Sequence, residues 1–317
     1  MKNKRYLLCL LLLLSVILRA QHPGFPRDTS YTLKSAYKKY VKYYPDIKLI
    51  QAILPKGVEE YRDVVYKNTG TRDLHLDVFV PQQTESEKPG VLLIHGGGWQ
   101  SGSKELLIPL AMQLAAQGFV TATVEYRLSL EAPYPAAVYD IKYALKWLKK
   151  NAEKYHLDTT RIAVLGTSAG GQLASLVGTT ANNPSFENPK DDLTNSTAVQ
   201  AIVDVDGVLA FIHPDSKENK VAAHWMGGDS IEAREIWLEA SALTHTDGHT
   251  PPMLFLASKY PRFLAGRQDV MAILDQHHIY NETHFLEDAP HSFWLFDPWF
   301  DPSIEYISHF LNKVLGS

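Results

Sequence analysis

The run "RIAVLGTSAGGQLASLVG", residues 161–178, limits the fold of this chain more than any other stretch. An apolar strand ends in Gly166-Thr167-Ser168-Ala169-Gly170, and helix-forming residues follow at once. The five residues fit G-x-S-x-G, in which a serine is carried on a sharp strand-to-helix turn. Small neighbours are required there because larger side chains would collide in so tight a turn. The turn lifts the Ser168 hydroxyl above the sheet edge, and the helix N-terminus behind it favours negative charge. A glycine-rich structural turn could share the pentapeptide, but the strand–turn–helix context favours a nucleophile.

The flanking sequence supplies the rest of such a framework. "YRDVVYKNTGTRDLHLDVFVP" reads as two strands around Asn68-Thr69-Gly70, with Leu74, Leu76, Val78 and Val80 alternating against His75, Asp77 and Phe79. That period of two predicts a half-buried strand. From Val91 onward, continuous apolar runs alternate with helical spacing: "GVLLIHGGGW", "ELLIPLAMQLAAQG", "GFVTATVEYRL" and "YPAAVYDIKYALKWLKKNAEKY". Gly118 ends the first helical stretch, and Val138, Ile141, Ala144, Leu145 and Leu148 form one stripe of the second. "VQAIVDVDGV", "PPMLFLAS" (strand Met253 to Ala257) and "ETHFLED" add three strands. Strands alternating with helices predict an α/β domain, a mostly parallel sheet with helices on both faces. No repeat, low-complexity tract or linker divides it. "HGGGW", residues 95–99, ends an earlier strand, and its glycines let backbone N–H groups turn toward a ligand. With the Ala169 N–H, those of Gly97 and Gly98 are candidate oxyanion donors. A phosphate loop is the other reading, but no Lys-Ser/Thr signature accompanies it. His95 reads as an orienting histidine.

The chain has 317 residues and ordinary globular composition. Lys2, Lys4 and Arg5 precede an apolar run from Tyr6 to Leu18, and Ala20 offers a cleavage point. Residues 1–20 therefore read as a signal peptide without a lipoprotein box, the alternative being an uncleaved anchor. Cleavage would remove four basic residues, taking the formal charge from −4 to −8, together with the sole cysteine, Cys9. The expectation is a periplasmic or secreted protein with no disulfide and no thiol nucleophile. An acidic chain without a basic face argues against nucleic acid as a partner, and after cleavage no membrane partner is expected. Residues 21–56 form an N-terminal extension before a domain at 57–317. Its "SAYKKYVKYYP" fits a short helix on the domain surface, with sugar contact as the other reading.

"HGGGW", "EYRL" (125–128), "YPAAVYDIKYALKWL" (134–148) and "GTSAGG" (166–171) together resemble α/β-hydrolase esterases. Within that fold they resemble the branch shared by hormone-sensitive-lipase-like and feruloyl- or acetyl-esterase-like enzymes. The resemblance covers roughly residues 57–314 and implies a serine esterase with no cofactor and no metal. His291 in "FLEDAPHSFW" matches the family's histidine loop and is the candidate base; His277 and His278 lie in a predicted helix without metal-ligand spacing. The family pattern places the acid after the strand Met253 to Ala257, where this chain offers Lys259, Arg262 and Arg267 and no carboxylate before Asp269. Asp206, closing "AIVDVD" one strand earlier, is the first candidate, Asp269 the second, and absence of an acid the third. Asp204 reads as structural.

Arg262 and Arg267 either form a solvated loop or clamp a carboxylate at the rim. "SKYPRFLAGRQD" with "PHSFWLFDPWFDP" resembles esterases of pectin breakdown. Trp99 is a further candidate substrate contact. Trp294, Trp299 and Phe300 either stack on sugars or anchor the C-terminal helix. These readings predict a secreted serine carbohydrate esterase acting on acetyl or methyl esters of a plant polysaccharide such as pectin. A serine peptidase of the same fold and a silent polysaccharide-binding protein are the alternatives.

Overall fold

The computed structural model describes residues 28–82, 86–218 and 220–316. The stretch read as a signal peptide lies outside them. Helix α1 (Leu33–Tyr40) and the short β1 (Lys48–Leu49) precede the hairpin β2 (Val58–Asn68) and β3 (Asp73–Pro81). There follow β4 (Lys88–Ile94), α2 (Ile108–Ala116), β5 (Val120–Val124), α3 (Ala136–Lys150) and α4 (Ala152–Tyr155). Next come β6 (Leu157–Thr167), α5 (Ala169–Thr179), β7 (Ala201–Val205), α6 (Lys220–Met226) and α7 (Arg234–Glu239). The chain closes with β8 (Met253–Ala257), α8 (Arg267–Gln276), β9 (Asn281–Phe285), β10 (Phe296–Asp297) and α9 (Phe300–Leu315).

Eight strands form one sheet in the order β2-β3-β5-β4-β6-β7-β8-β9. The β2, β3 and β5 pairings are antiparallel, and every pairing from β5 across to β9 is parallel. The carboxyl ends of β4, β6, β7, β8 and β9 therefore share one edge, where open α/β sheets bind ligands. Alternate residues of each strand feed two cores. Leu92, Ile94, Val164 and Ile202 pack with α3 and α5. Val91, Leu93, Leu165 and Val203 pack with α2 and α9 on the opposite face. Each large apolar side chain buried in this way contributes about 2 kcal/mol.

Two expectations need correction. The alternation in β3 suggested a half-buried strand, yet Asp77 and Phe79 are as buried as Leu76 and Val78. Lys104 covers the polar face, its ammonium 2.7 Å from the Asp77 carboxylate, and Arg62 approaches at 3.3 Å. A paired charge can be buried where an isolated one cannot. The long helix read from residue 134 to 155 is divided at Asn151, whose side chain donates to the Trp147 carbonyl. The Asn151 backbone N–H also reaches that carbonyl, and the residue leaves helical dihedrals at φ −103°, ψ 18°, which ends α3.

The N-terminal segment is joined to the domain rather than merely laid on it. Thr32 and Ser35 form a capping box on α1. Ala36 and Tyr40 enter the core that contains α9, and Tyr40 meets Phe296 edge-on at 6.0 Å. β1 pairs antiparallel with β10. Among the described residues no helix is long and apolar enough to cross a membrane.

Candidate active site

Ser168 sits between β6 and α5 at φ 55°, ψ −123°, a sparsely populated backbone conformation. Its N–H donates to the Val205 carbonyl of β7, tying the turn to the neighbouring strand end. The flanking glycines are steric requirements: a Cβ on Gly166 would collide with the Gly170 carbonyl, and one on Gly170 with the Ile94 carbonyl. Gly166→Ala is therefore expected to destabilise the fold by about 3 kcal/mol, measurable by urea unfolding, because backbone rather than a pliant side chain must move.

The structure brings Ser168, His291 and Asp206 into one hydrogen-bonded line. His291 Nε2 lies 2.8 Å from Ser168 Oγ, and Nδ1 lies 2.9 Å from an Asp206 carboxylate oxygen. A carboxylate only accepts, so Nδ1 carries the proton and Nε2 is left to accept from the serine hydroxyl. His291 is clamped between ring contacts, stacked on Phe263 at 3.6 Å and edge-on to Trp294 at 5.2 Å. Burial pushes its pKa below 6.5, opposed by Asp206 and reinforced by Arg262 and Lys39. The neutral imidazole is the form that can accept a proton. The acid limb of kcat/KM is thus expected below pH 6.5, activity falling as pH drops through it, as a pH–rate profile on a small ester would show.

Asp206 follows β7 at φ 54°, a left-handed conformation that aspartate tolerates. Its second carboxylate oxygen accepts the Ser258 N–H at 2.7 Å, and its own N–H donates to the Leu256 carbonyl. The end of β8, which lacks an acid, thus contributes the backbone donor that fixes the acid of β7. Asp269, the second candidate, is directed elsewhere and lies 3.1 Å from His213. Asp204 points under the turn, its carboxyl held well above the usual range by burial and then by the charge of Asp206.

Ser168, Asp206 and His291 open on a cavity of about 420 Å³ that Gly97, Gly98 and Ala169 also line. Gly97 and Gly98 adopt φ of 132° and 60°, which a side chain would disfavour. Ala169 is the first residue of α5, so its N–H has no intrahelical acceptor. His95 braces this loop, its Nδ1 donating to the Gly96 carbonyl at 2.8 Å while its ring stacks on Tyr126. Trp99 borders the cavity but is 3% exposed. Its indole N–H donates to Gln172, and its ring stacks on Trp225 of α6 at 5.0 Å, so its dominant contacts are internal.

Arg262 lines the cavity as expected, whereas Arg267 does not. Arg267 is the first residue of α8, after the left-handed Gly266 turns the chain, and its guanidinium lies over the Phe285 ring at 4.8 Å. Trp294 and Phe300 are buried in the core with α9, and Trp299 meets Tyr44 edge-on. The sequence reading missed the cavity wall built by Ser30, Tyr31, Ser35, Lys39 and Tyr40 of the N-terminal segment. The Tyr31 hydroxyl also bonds Ser292, next to His291, at 3.0 Å. The tyrosine–lysine mix of α1 was its only signal. Among the described residues no cluster of three or more His, Cys, Asp or Glu could hold a metal ion.

This sheet order, with a serine turn after β6 and a histidine loop after β9, is that of the α/β hydrolases. Within them the chain belongs to the BD-FAE family, which residues 76–268 match. Esterase LipC of Mycobacterium tuberculosis is 27% identical over 244 residues, covering 71% of this chain and 58% of LipC. Carboxylesterase NlhH of the same organism is 38% identical over 133 residues, covering 41% of each chain. The chain thus spans about half the length of the curated relatives it matches. A carbohydrate esterase from gut microbiota superposes with a TM-score of 0.68 at 19% identity, covering 82% of this chain and 97% of that one. Esterase 2 of Thermogutta terrifontis, in its apo form, superposes with a TM-score of 0.68 at 23% identity, covering 83% and 97%.

Proposed function

We propose that this protein is a secreted or periplasmic serine esterase that removes acetyl or methyl groups from a plant polysaccharide, pectin foremost. The relay from Asp206 through His291 to Ser168, opening on a cavity lined by Gly97, Gly98 and Ala169, is the observation that carries the reading. In the reaction Ser168 Oγ attacks the ester carbonyl as His291 Nε2 takes its proton. The carbonyl oxygen becomes an oxyanion received by the N–H groups of Gly97, Gly98 and Ala169, each worth about 3 kcal/mol. His291 returns the proton to the leaving alcohol, and the acyl-serine forms. Water then attacks that ester, with His291 again accepting the proton, and Ser168 is regenerated. Asp206 keeps Nδ1 protonated throughout and stabilises the imidazolium. The residues use their own protons at every step and call for no cofactor.

The similarity to esterases and to a carbohydrate esterase supports the ester and carbohydrate parts of this reading. Arg262 at the cavity wall supports an anionic polymer, since guanidinium groups recognise carboxylates. Export rests on the N-terminal pattern of basic residues and apolar run. Esterase 2 of Thermogutta terrifontis has been solved phosphonylated by sarin, which makes an organophosphorus probe a suitable companion assay. The test is to measure acetate and methanol released from acetylated, methylated pectin, alongside fluorophosphonate labelling of Ser168. Release of acetate or methanol names the ester. Labelling with cleavage of peptides instead of esters would turn the reading to a peptidase, and failure of both release and labelling to a silent binding protein.

A further inference from the structure

The catalytic cavity does not end at His291. A second cavity of about 550 Å³ shares Lys39, Tyr40, Arg262, Phe263 and His291 with it, and continues to Tyr43, Tyr44, Lys259 and Tyr260. The partition between the two is therefore the wall carrying the histidine. A polymer whose ester lies against Ser168 would run its adjoining residues along this second space.

The lining is unusual for so acidic a protein, whose formal net charge is −4. Lys39 and Arg262 have no ion-pairing carboxylate among the described residues; burial and then the charge of Arg262 lower the pKa of Lys39, and both cations lower that of His291. Lys259 has one loose and exposed partner, Asp288, at 3.7 Å. Glu218 borders the first cavity with Arg262, but burial raises its pKa, and one of its oxygens is buried without a hydrogen-bond partner. It does not line the second cavity. Uncompensated cations kept close together repel one another and are costly unless an anion joins them. Aromatic faces lie between the cations. Tyr43 is 75% exposed and Tyr260 37% exposed, large apolar rings left in solvent beside a cavity. Lys259 lies over the Tyr44 ring at 5.6 Å, and Arg262 over Phe263 at 4.3 Å. Aromatic rings offer flat apolar faces and cations bind carboxylates, a combination that matches a sugar bearing an acid group.

We infer that this second cavity is a subsite for carboxylate-bearing sugar residues flanking the esterified one, with Lys39, Lys259 and Arg262 meeting carboxylates and Tyr43, Tyr44 and Tyr260 the sugar faces. The inference deepens the esterase reading and rests on it for the direction of the chain. It assigns recognition to the N-terminal segment and the loop after β8 together, acting on an acidic oligomer rather than on a lone ester.

The experiment is calorimetric binding of tetragalacturonate and of neutral cellotetraose to full-length Ser168→Ala protein at low and high salt, repeated with Lys259→Glu and with Tyr43→Ala added. The acidic tetramer is expected to bind about tenfold tighter than the neutral one at low salt and to lose that advantage at high salt. Lys259→Glu should weaken it about fivefold, as expected for an exposed charge contact reversed in sign. Both added substitutions are at exposed positions, and an unchanged unfolding midpoint confirms the fold. Equal affinity for the two tetramers, or indifference to Lys259→Glu and Tyr43→Ala alike, overturns the subsite. The two readings fail separately. Retained acid-selective binding with no ester cleaved by the unsubstituted protein sinks the esterase and keeps the subsite. Cleavage of esters without acid-selective binding does the reverse.

Discussion

Ser168→Ala is expected to lower kcat on any ester substrate by about a millionfold while the protein folds and binds substrate as before. The loss is large because the hydroxyl is the proposed nucleophile, without which no acyl-serine forms for the later steps at His291. Removing it leaves His291 Nε2 without its hydroxyl partner. What survives is the stabilisation by the glycine N–H groups, which is sufficient for a small residual rate over solution. The substitution keeps the backbone turn at φ 55°, and the hydrogen bond it removes is the one to His291. Unfolding stability should therefore be nearly unchanged. Stopped assays of acetate release, with circular dichroism as the folding control, would show it; a loss under a hundredfold would remove Ser168 from the role of nucleophile.

Asp206→Asn is expected to cost about ten-thousandfold in kcat, with Asp269→Asn leaving it unchanged. An amide has one acceptor oxygen where the carboxylate has two. The Ser258 N–H lies 2.7 Å from the oxygen it uses and can only donate, so the amide must offer its oxygen there and turn its NH2 to His291. Nδ1 then has to accept, its proton moves to Nε2, and the nitrogen facing Ser168 can no longer take the hydroxyl proton. The fold has no reason to change, since amide and carboxylate have the same shape and the backbone bond survives. If Asp269→Asn is the damaging substitution, the assignment of Asp206 is wrong.

The local parts of this molecule were open to reading from the chain, because they rest on short-range physics. Met253–Ala257 is a strand with the expected bounds, since a continuous apolar run after Pro251-Pro252 leaves little else. Gly166, Ser168 and Gly170 announce their turn through the space each allows. The placement of Asp206 beside His291 was legible only as a choice among carboxylates, because an 85-residue separation along the chain carries no periodic signal. Arg267 shows the opposite failure. Two arginines in one loop look equivalent in sequence, but Gly266 reverses the chain between them and directs the second to Phe285. The cavity wall from α1 was hidden for the same reason as the Tyr31–Ser292 bond, which joins residues 261 positions apart.

The bond from the Ser258 backbone to Asp206 has a bearing on how such an enzyme can be altered. A donor that belongs to the main chain does not depend on which side chain the residue carries. If Asp206 after β7 is the acid, the stretch from Lys259 to Ala265 supplies no member of the relay, and acts on it through Phe263 beneath the imidazole and the charge of Arg262. Reaction and recognition are thereby written in separate segments of the gene. A library that randomises this stretch around fixed Phe263 and Arg262 should yield many variants that keep their turnover and differ in the polymers they accept, whereas in an enzyme with its acid in this loop most such variants would be dead.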